Sequence, residues 1–300
     1  MPAPTVRPLP FRHNQKPTLG FEIFRLSSLF ARADRHAIDH ALETPQRPEF
    51  HTVYVGISGK GTIEVDFAPV PVGRELLTFV ARGRVQSFPE RGIDAWMLAF
   101  KPEFLAATAG SADPLVQPAV LSPAWSEPVI PIARAEHREL LALAERMDEE
   151  HAKPLDVIQP WLLSALLRAF LLRAERLVGP RSPPHAGLAT FFTILERDHL
   201  ATRSVAHYAR ASGLSVRRLA ELLVAETGRS TKQLIDERVI LAQKRLLAYT
   251  GVSVKELAEL TGFAEPTNLV KFFRNHTEET PLAFRAAQAG RRILPSRRRS

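Results

Sequence analysis

The chain has 300 residues, 45% of them hydrophobic, with 40 Lys and Arg against 32 Asp and Glu, so it carries a formal charge of +8. That length suits about two domains, and the apolar content excludes a disordered chain. With no cysteine at all, disulfide frameworks, thiolate metal sites and cysteine nucleophiles are excluded.

The charge is uneven. Residues 1–187 hold 21 basic and 21 acidic side chains, whereas residues 188–300 hold 19 and 11. A neutral half joined to a basic half suggests a module for a polyanion attached to one with another task. Five of the excess charges, Arg291, Arg292, Arg297, Arg298 and Arg299, form a C-terminal tail. Residues 1–10 lack the apolar run of a secretory signal. Leu155 to Leu172, the most apolar stretch, is interrupted by Asp156, Gln159, Pro160 and Arg168 and falls short of a membrane span. A cytoplasmic protein is expected.

The first ~20 residues are rich in proline and read as irregular. From Gly20 to Phe100 the chain reads as short strands: Phe21 to Phe24, His51 to Ile57, Thr62 to Phe67, Leu76 to Val80, Val85 to Phe88 and Ala95 to Phe100. Glycine and proline separate them, Gly59-Lys60-Gly61 among others, and the spacing predicts a small barrel or sandwich. Arg74, Arg82 and Arg84 are candidates for an anionic ligand or plain strand-edge charges. His36 and His40, four residues apart, read as a solvated pair rather than a chelate. His51 is the one histidine within the main β-run, too few for a transition-metal site. No Gly-x-Ser-x-Gly elbow organises a catalytic triad, so no catalytic residue, metal or cofactor is assigned.

Ala135 to His151 and Pro154 to Val178 contain no glycine and read as helices. In the second, Ile158, Leu162, Ala165, Leu166, Ala169 and Leu172 form one stripe, while Trp161, Leu163, Leu167, Phe170 and Leu171 add apolar surface elsewhere. Such a helix is buried on more than one side, within its own chain or against a second subunit. Gly179 to Pro184 is a linker by composition and falls where the charge balance changes. The expected organisation is a domain over 1–184 with helices across 135–178, a linker at 179–187, a second domain over 188–290 and a basic tail at 291–300.

The second domain contains an internal repeat. Ser204, Val205, Ala209 and Gly213 recur 49 residues later as Ser253, Val254, Ala258 and Gly262. The serines can cap a helix, the alanines let a second helix cross closely, and the glycines suit a tight turn with positive φ. Leu214 and Phe263 then plug the core under the turn. Leu219, Leu222 and Leu223 recur 50 residues later as Leu269, Phe272 and Phe273. This is the helix-turn-helix layout, whose second helix enters the DNA major groove. Thr231 to Tyr249 reads as one long helix of about 28 Å between the copies.

Residues Ala189 to Phe284 resemble the DNA-binding domain of the AraC/XylS regulators. The resemblance rests on Ala209-Arg210-Ala211-Ser212-Gly213-Leu214-Ser215, Glu226-Thr227-Gly228-Arg229-Ser230-Thr231, the helix Arg238 to Leu247, Ala258-Glu259-Leu260-Thr261-Gly262-Phe263, Glu265-Pro266, Thr280-Pro281 and Phe284-Arg285. It implies promoter binding by two helix-turn-helix units. Two departures stand out. Thr277-Glu278 replaces an aromatic residue and a glycine, and Ala220-Glu221 replaces a polar residue followed by a base. The β-rich half is similar to the cupin-like effector domain of that family, with Val85-Gln86 where a second histidine is often found.

Base-reading side chains belong near the N-terminal end of each second helix. In the first copy they are Val216, Arg217, Ala220 and Glu221, with Arg217 suited to guanine and Glu221 either accepting from cytosine or repelling phosphate. In the second they are Pro266, Thr267, Asn268 and Lys271, with Asn268 suited to adenine. Ser215, Arg218, Thr231 and Arg274 suit phosphate. The expected protein is an α+β two-domain regulator: a small cupin-like barrel or sandwich plus two helices, then an all-α domain. Its expected partners are promoter DNA, a small-molecule effector, a second copy of itself and, for an activator, RNA polymerase. The competing readings are a ligand-independent regulator and a metal-dependent cupin enzyme fused to a DNA-binding domain.

Overall fold

In the computed structural model, residues 8–9, 19–36, 45–89, 91–106, 129–178 and 185–293 are described. The described residues fall into two compact units, one within Arg7–Arg181 and one within Ser182–Ser300. Among the described residues no helix is long and apolar enough to cross a membrane.

The first unit is built on a five-stranded antiparallel sheet. Its strands are β1 (Phe21–Arg25), β2 (His51–Ser58), β5 (Leu76–Val80), β6 (Asp94–Phe100) and β7 (Val129–Pro131), in the order β1-β6-β2-β5-β7. Between β2 and β5 lies a hairpin of β3 (Lys60–Val65) and β4 (Ala68–Gly73). Alternation along β2 sends Val53 and Val55 to one face and Thr52 and Tyr54 to the other. The first face packs with Phe21, Leu77, Phe79, Leu98 and Phe100 against α3 (Arg134–Ala152) and α4 (Gln159–Val178). The second face, with Tyr54, Val80, Ala95 and Met97, is covered by Ile63, Val65, Val70 and Val72 of the hairpin and by Leu26. Leu26 begins α1 (Leu26–His36), and a short helix α2 (Pro102–Ala106) follows β6; the sequence signalled neither.

Several expectations for this unit are corrected. Val85 to Phe88 is not a strand: Gln86 makes isolated bridges to Gln46 and Val65, between a positive φ at Gly83 and Pro89. The strand expected to reach Phe67 stops at Val65, because Asp66 and Phe67 both take positive φ in the tight β3–β4 turn. The Asp66 carboxylate accepts from the Val85 N–H at 3.0 Å and pairs with Arg84 at 2.8 Å. Lys60 and Gly61 belong to β3, and only Gly59, φ +76°, makes the break. Strand β4 was unexpected because it contains Pro69 and Pro71. Two residues apart, both turn their missing donors away from β3.

Helix α4 starts at Gln159 rather than Pro154, because the Asp156 carboxylate takes the N–H groups of Ile158 and Gln159 at 2.8 and 2.7 Å. Of the apolar surface that runs nearly all round it, one side is buried and the stripe is largely open. Leu163, Leu167, Phe170 and Leu171 are fully buried, whereas Ile158, Trp161, Leu162 and Leu172 are 40–59% exposed.

The second unit is all α: α5 (Ala186–Asp198), α6 (Val205–Ala211), α7 (Val216–Thr227), α8 (Thr231–Tyr249), α9 (Val254–Leu260), α10 (Pro266–Thr277) and α11 (Pro281–Ile293). Helix α8 occupies the residues expected of the long helix. It buries Leu234, Ile235, Val239, Ala242 and Leu247, and also the polar Asp236, Gln243 and Arg245.

Candidate nucleic-acid interface

Each helix-turn-helix copy is assembled by local chemistry. Ser204 Oγ accepts the His207 N–H at 3.3 Å and starts α6. Ser253 Oγ accepts the Glu256 N–H at 3.2 Å while the Glu256 carboxylate accepts the Ser253 N–H at 2.7 Å, a full capping box on α9. These bonds hold the Glu256 carboxyl below its ordinary range. Gly213 and Gly262 take φ of +68° and +71°, so Leu214 and Phe263 can donate back to the carbonyls of Ala209 and Ala258, each at 2.9 Å. Both alanines are 1% exposed, which lets α7 and α10 cross closely. Leu219, Leu223, Leu269 and Phe273 are fully buried beneath them. Phe263 is buried under its turn; Leu214 is only half-buried.

With those residues inward, the opposite faces of α7 and α10 are left to solvent. On α7, Val216 is 48% exposed, Arg217, Arg218 and Glu221 are exposed, and Ala220 is half-buried. On α10, Thr267, Asn268, Lys271 and Arg274 are exposed and Pro266, at the first helical turn, is half-buried. Ser215 Oγ accepts the Arg218 N–H at 3.1 Å as the cap of α7, and its own O–H remains free to donate.

Glu221 turns out to be the partner of the arginines. Its carboxylate takes Arg217 Nε at 2.9 Å and lies 3.5 Å from Arg218 Nη1. Thr231 is corrected. Its side chain is 3% exposed and its hydroxyl is buried, so it cannot reach a phosphate. The cap of α8 is Ser230, whose Oγ accepts the Gln233 N–H while Gln233 Oε1 accepts the Ser230 N–H at 2.8 Å. The residue three places after Ser230 was the signal that separates the two hydroxyls.

Other placements were not foreseen. Asp198, at the end of α5, accepts from Arg197 and His207 at 2.6 and 2.7 Å, and these partners hold its carboxyl far below the usual range. Arg238 of α8 grips Glu196 with two bonds of 2.6 and 2.7 Å. Arg285 ties α11 to the end of α8 through the carbonyls of Leu247, at 3.2 Å, and Val252.

Residues 208–287 match a family model described as a helix-turn-helix domain. The C-terminal part of the chain is an AraC-type helix-turn-helix domain. The HTH-type transcriptional regulator RipA of Corynebacterium glutamicum is 28% identical over 119 residues, 40% of this chain. That match spans 36% of the relative's own length, little more than a third. The DNA-binding domain of AdpA, solved with a target DNA, is 29% identical and covers 38% of this chain and 100% of its own, with a TM-score of 0.34. ToxT from Vibrio cholerae O395, solved with a naphthalenyl butenoic acid, covers 80% of this chain and 91% of its own at 11% identity and a TM-score of 0.45.

In the first unit, no group of three or more His, Asp and Glu comes together among the described residues. His40 lies outside them. His51 is pushed down to about 4, chiefly by burial and then by the Arg82 charge. Arg84 is paired with Asp66 and Arg74 lies 4.0 Å from Glu75. Gln86 Nε2 donates to Thr52 at 3.3 Å, while Gln86 Oε1 and the fully buried Tyr54 hydroxyl have no hydrogen-bond partner among the described residues.

Proposed function

We propose that the chain is a cytoplasmic, sequence-specific transcription regulator of the AraC/XylS type, acting on promoter DNA rather than as an enzyme. One observation carries the reading. Two capped helix-turn-helix copies, joined by a 19-residue helix, each expose the polar N-terminal half of the second helix. In this reading Arg217, Thr267, Asn268 and Lys271 read base edges, Glu221 holds Arg217 in the free protein, and Val216, Ala220 and Pro266 shape apolar contacts. Ser215, Arg218 and Arg274 hold phosphates. A ~28 Å helix suits major-groove segments about 34 Å apart on one DNA face.

Selection of bound duplexes from a random pool, paired with genome-wide mapping of bound sites, tests the reading. A motif of two boxes about one helical turn apart is expected. Binding without sequence preference at physiological salt refutes it.

The first unit is proposed to sense a small molecule and to dimerise. The buried Tyr54 hydroxyl and Gln86 Oε1 support sensing, since buried polar groups are normally paired. The open face of α4, with Trp161, Leu162 and Leu172, supports self-association. Trp161→Glu is expected to leave a folded monomer in sedimentation; an unchanged dimer, or a wild-type monomer, removes that part of the proposal. Contact with RNA polymerase follows only if the regulator activates.

A further inference from the structure

The entrance loop of the first helix-turn-helix copy is seated on the turn of the second. The Arg203 guanidinium lies 3.7 Å from the Phe263 ring centroid and 5.7 Å from that of Phe272. Its Nη2 donates to the Gly262 carbonyl at 3.0 Å, and its Nη1 is buried. A Cβ built on Gly262 would come 2.8 Å from the Leu200 carbonyl, so the two segments touch backbone to backbone. From the other side, Gln243 of α8 donates to Thr261 Oγ1 at 3.2 Å. The turn of the second copy is thus gripped by α8 and by the loop that precedes α6.

A connecting helix sets how far apart two modules lie. It does not by itself fix how each module rotates about its own end of that helix. A planar guanidinium stacked on an aromatic face and bonded to a backbone carbonyl does supply that restraint, because both contacts are lost on a small rotation.

We propose that Arg203 is a positioning residue that locks the two reading helices into one orientation and so makes binding intolerant of the spacing between the two DNA boxes. The proposal rests on the reading that α7 and α10 both contact bases. Inserting one base pair moves the second box by about 3.4 Å and turns it by about 35°. A rigid pair cannot follow that change, while a loosened pair can.

The test uses the full chain and two readouts. The chain has no cysteine, so Val224→Cys and Asn275→Cys place spin labels on α7 and α10 alone. Samples are diluted with unlabelled protein to suppress distances between subunits. Without DNA, the distance distribution is expected to broaden in Arg203→Ala. On a duplex selected by the wild-type chain, a one-base-pair insertion between boxes is expected to cost the wild type roughly tenfold or more, in the range of a lost base contact. In Arg203→Ala that penalty is expected to fall to about threefold or less, because a loosened pair keeps both sets of contacts. Arg203→Lys, which keeps the charge without the planar fork, is expected to fall between. A folded Arg203→Ala with an unchanged distance distribution and an unchanged insertion penalty overturns the proposal. If Arg203→Ala does not fold, Phe263→Leu removes the stacking face and the same two readouts decide. A wild-type chain that treats selected and random duplexes alike overturns the DNA-reading assignment itself, and the spacing claim with it, whatever the labels report.

Discussion

Arg217 offers the sharpest test of base reading, because the structure shows what it gives up. In the free protein its guanidinium pairs with Glu221 one turn along α7, at 2.9 Å, with side chains 91% and 48% exposed. An exposed pair of this kind is worth about 0.3–0.5 kcal/mol. A two-toothed contact from arginine to guanine is worth about 1–3 kcal/mol of discrimination. Turning Arg217 from Glu221 to a base therefore retains about 0.5–2.7 kcal/mol, so Arg217→Ala should weaken the selected site about 2- to 90-fold. On random DNA the same variant loses one cationic contact, about 0.9 in the slope of log K against log salt. Glu221→Ala should raise affinity for the selected site about twofold in the presence of Arg217 and should not do so in the Arg217→Ala background. Fluorescence anisotropy at one fixed salt concentration, with selected and random duplexes and all four proteins, measures every term. Equal proportional losses on both duplexes for Arg217→Ala would show that the side chain serves the backbone and refute the assignment.

Burial, and after it the Arg238 charge, push the His199 imidazole down to about 4, against the pull of Glu196 and two backbone carbonyls. The folded state then binds fewer protons than the unfolded one, so stability should fall as pH drops from about 6.5 toward 4. His199→Gln should flatten that fall in melts between pH 7 and pH 5; a wild-type melt that does not move over this range contradicts the account. Glu278 ends α10 at φ +64°, where Gly228 ends α7 at φ +69°. Glu278→Gly should stabilise by about 0.5 kcal/mol, the left-handed penalty less the entropy that glycine adds to the unfolded chain; a lower melting temperature refutes this. Removing residues 291–300 deletes five arginines and should lower the salt slope by up to about 4 while preserving the ratio of selected to random binding. A changed ratio would place the tail in sequence reading.

The second unit was legible in the sequence because its signals are local. A capping serine, a close-packed alanine and a glycine with positive φ act within ten residues, so Ser204, Ala209 and Gly213 announce the motif without any knowledge of the fold. The limits of α8 followed from the same grammar, and the assignment of Thr231 to phosphate came from reading its hydroxyl without weighing Gln233, three places after Ser230. Strand β4 was hidden because proline normally argues against a strand. It becomes admissible only once the sheet defines which side of Pro69 and Pro71 needs no donor. The inward face of helix α4 was illegible for another reason. It is apolar nearly all round, so periodicity offers two candidate faces, and only the sheet decides that Leu163 and Leu167 go inward while Trp161 and Leu162 stay out.

The contacts that join the two copies were beyond sequence reading for a related reason. Arg203 and Phe263 are 60 positions apart and belong to different copies of the repeat. Each copy explains its own residues fully, and an arginine just before a helix cap reads as one more solvated charge. What distinguishes Arg203 from Arg217 is its surroundings. One lies over the Phe263 ring and is bonded to a turn carbonyl, and the other is 91% exposed beside a carboxylate that holds it weakly. Positioning and base reading therefore draw on different arginines in the proposed reading. Exposed arginines such as Arg217 meet the DNA in that reading, and the half-buried Arg203 decides whether the two reading helices meet it together.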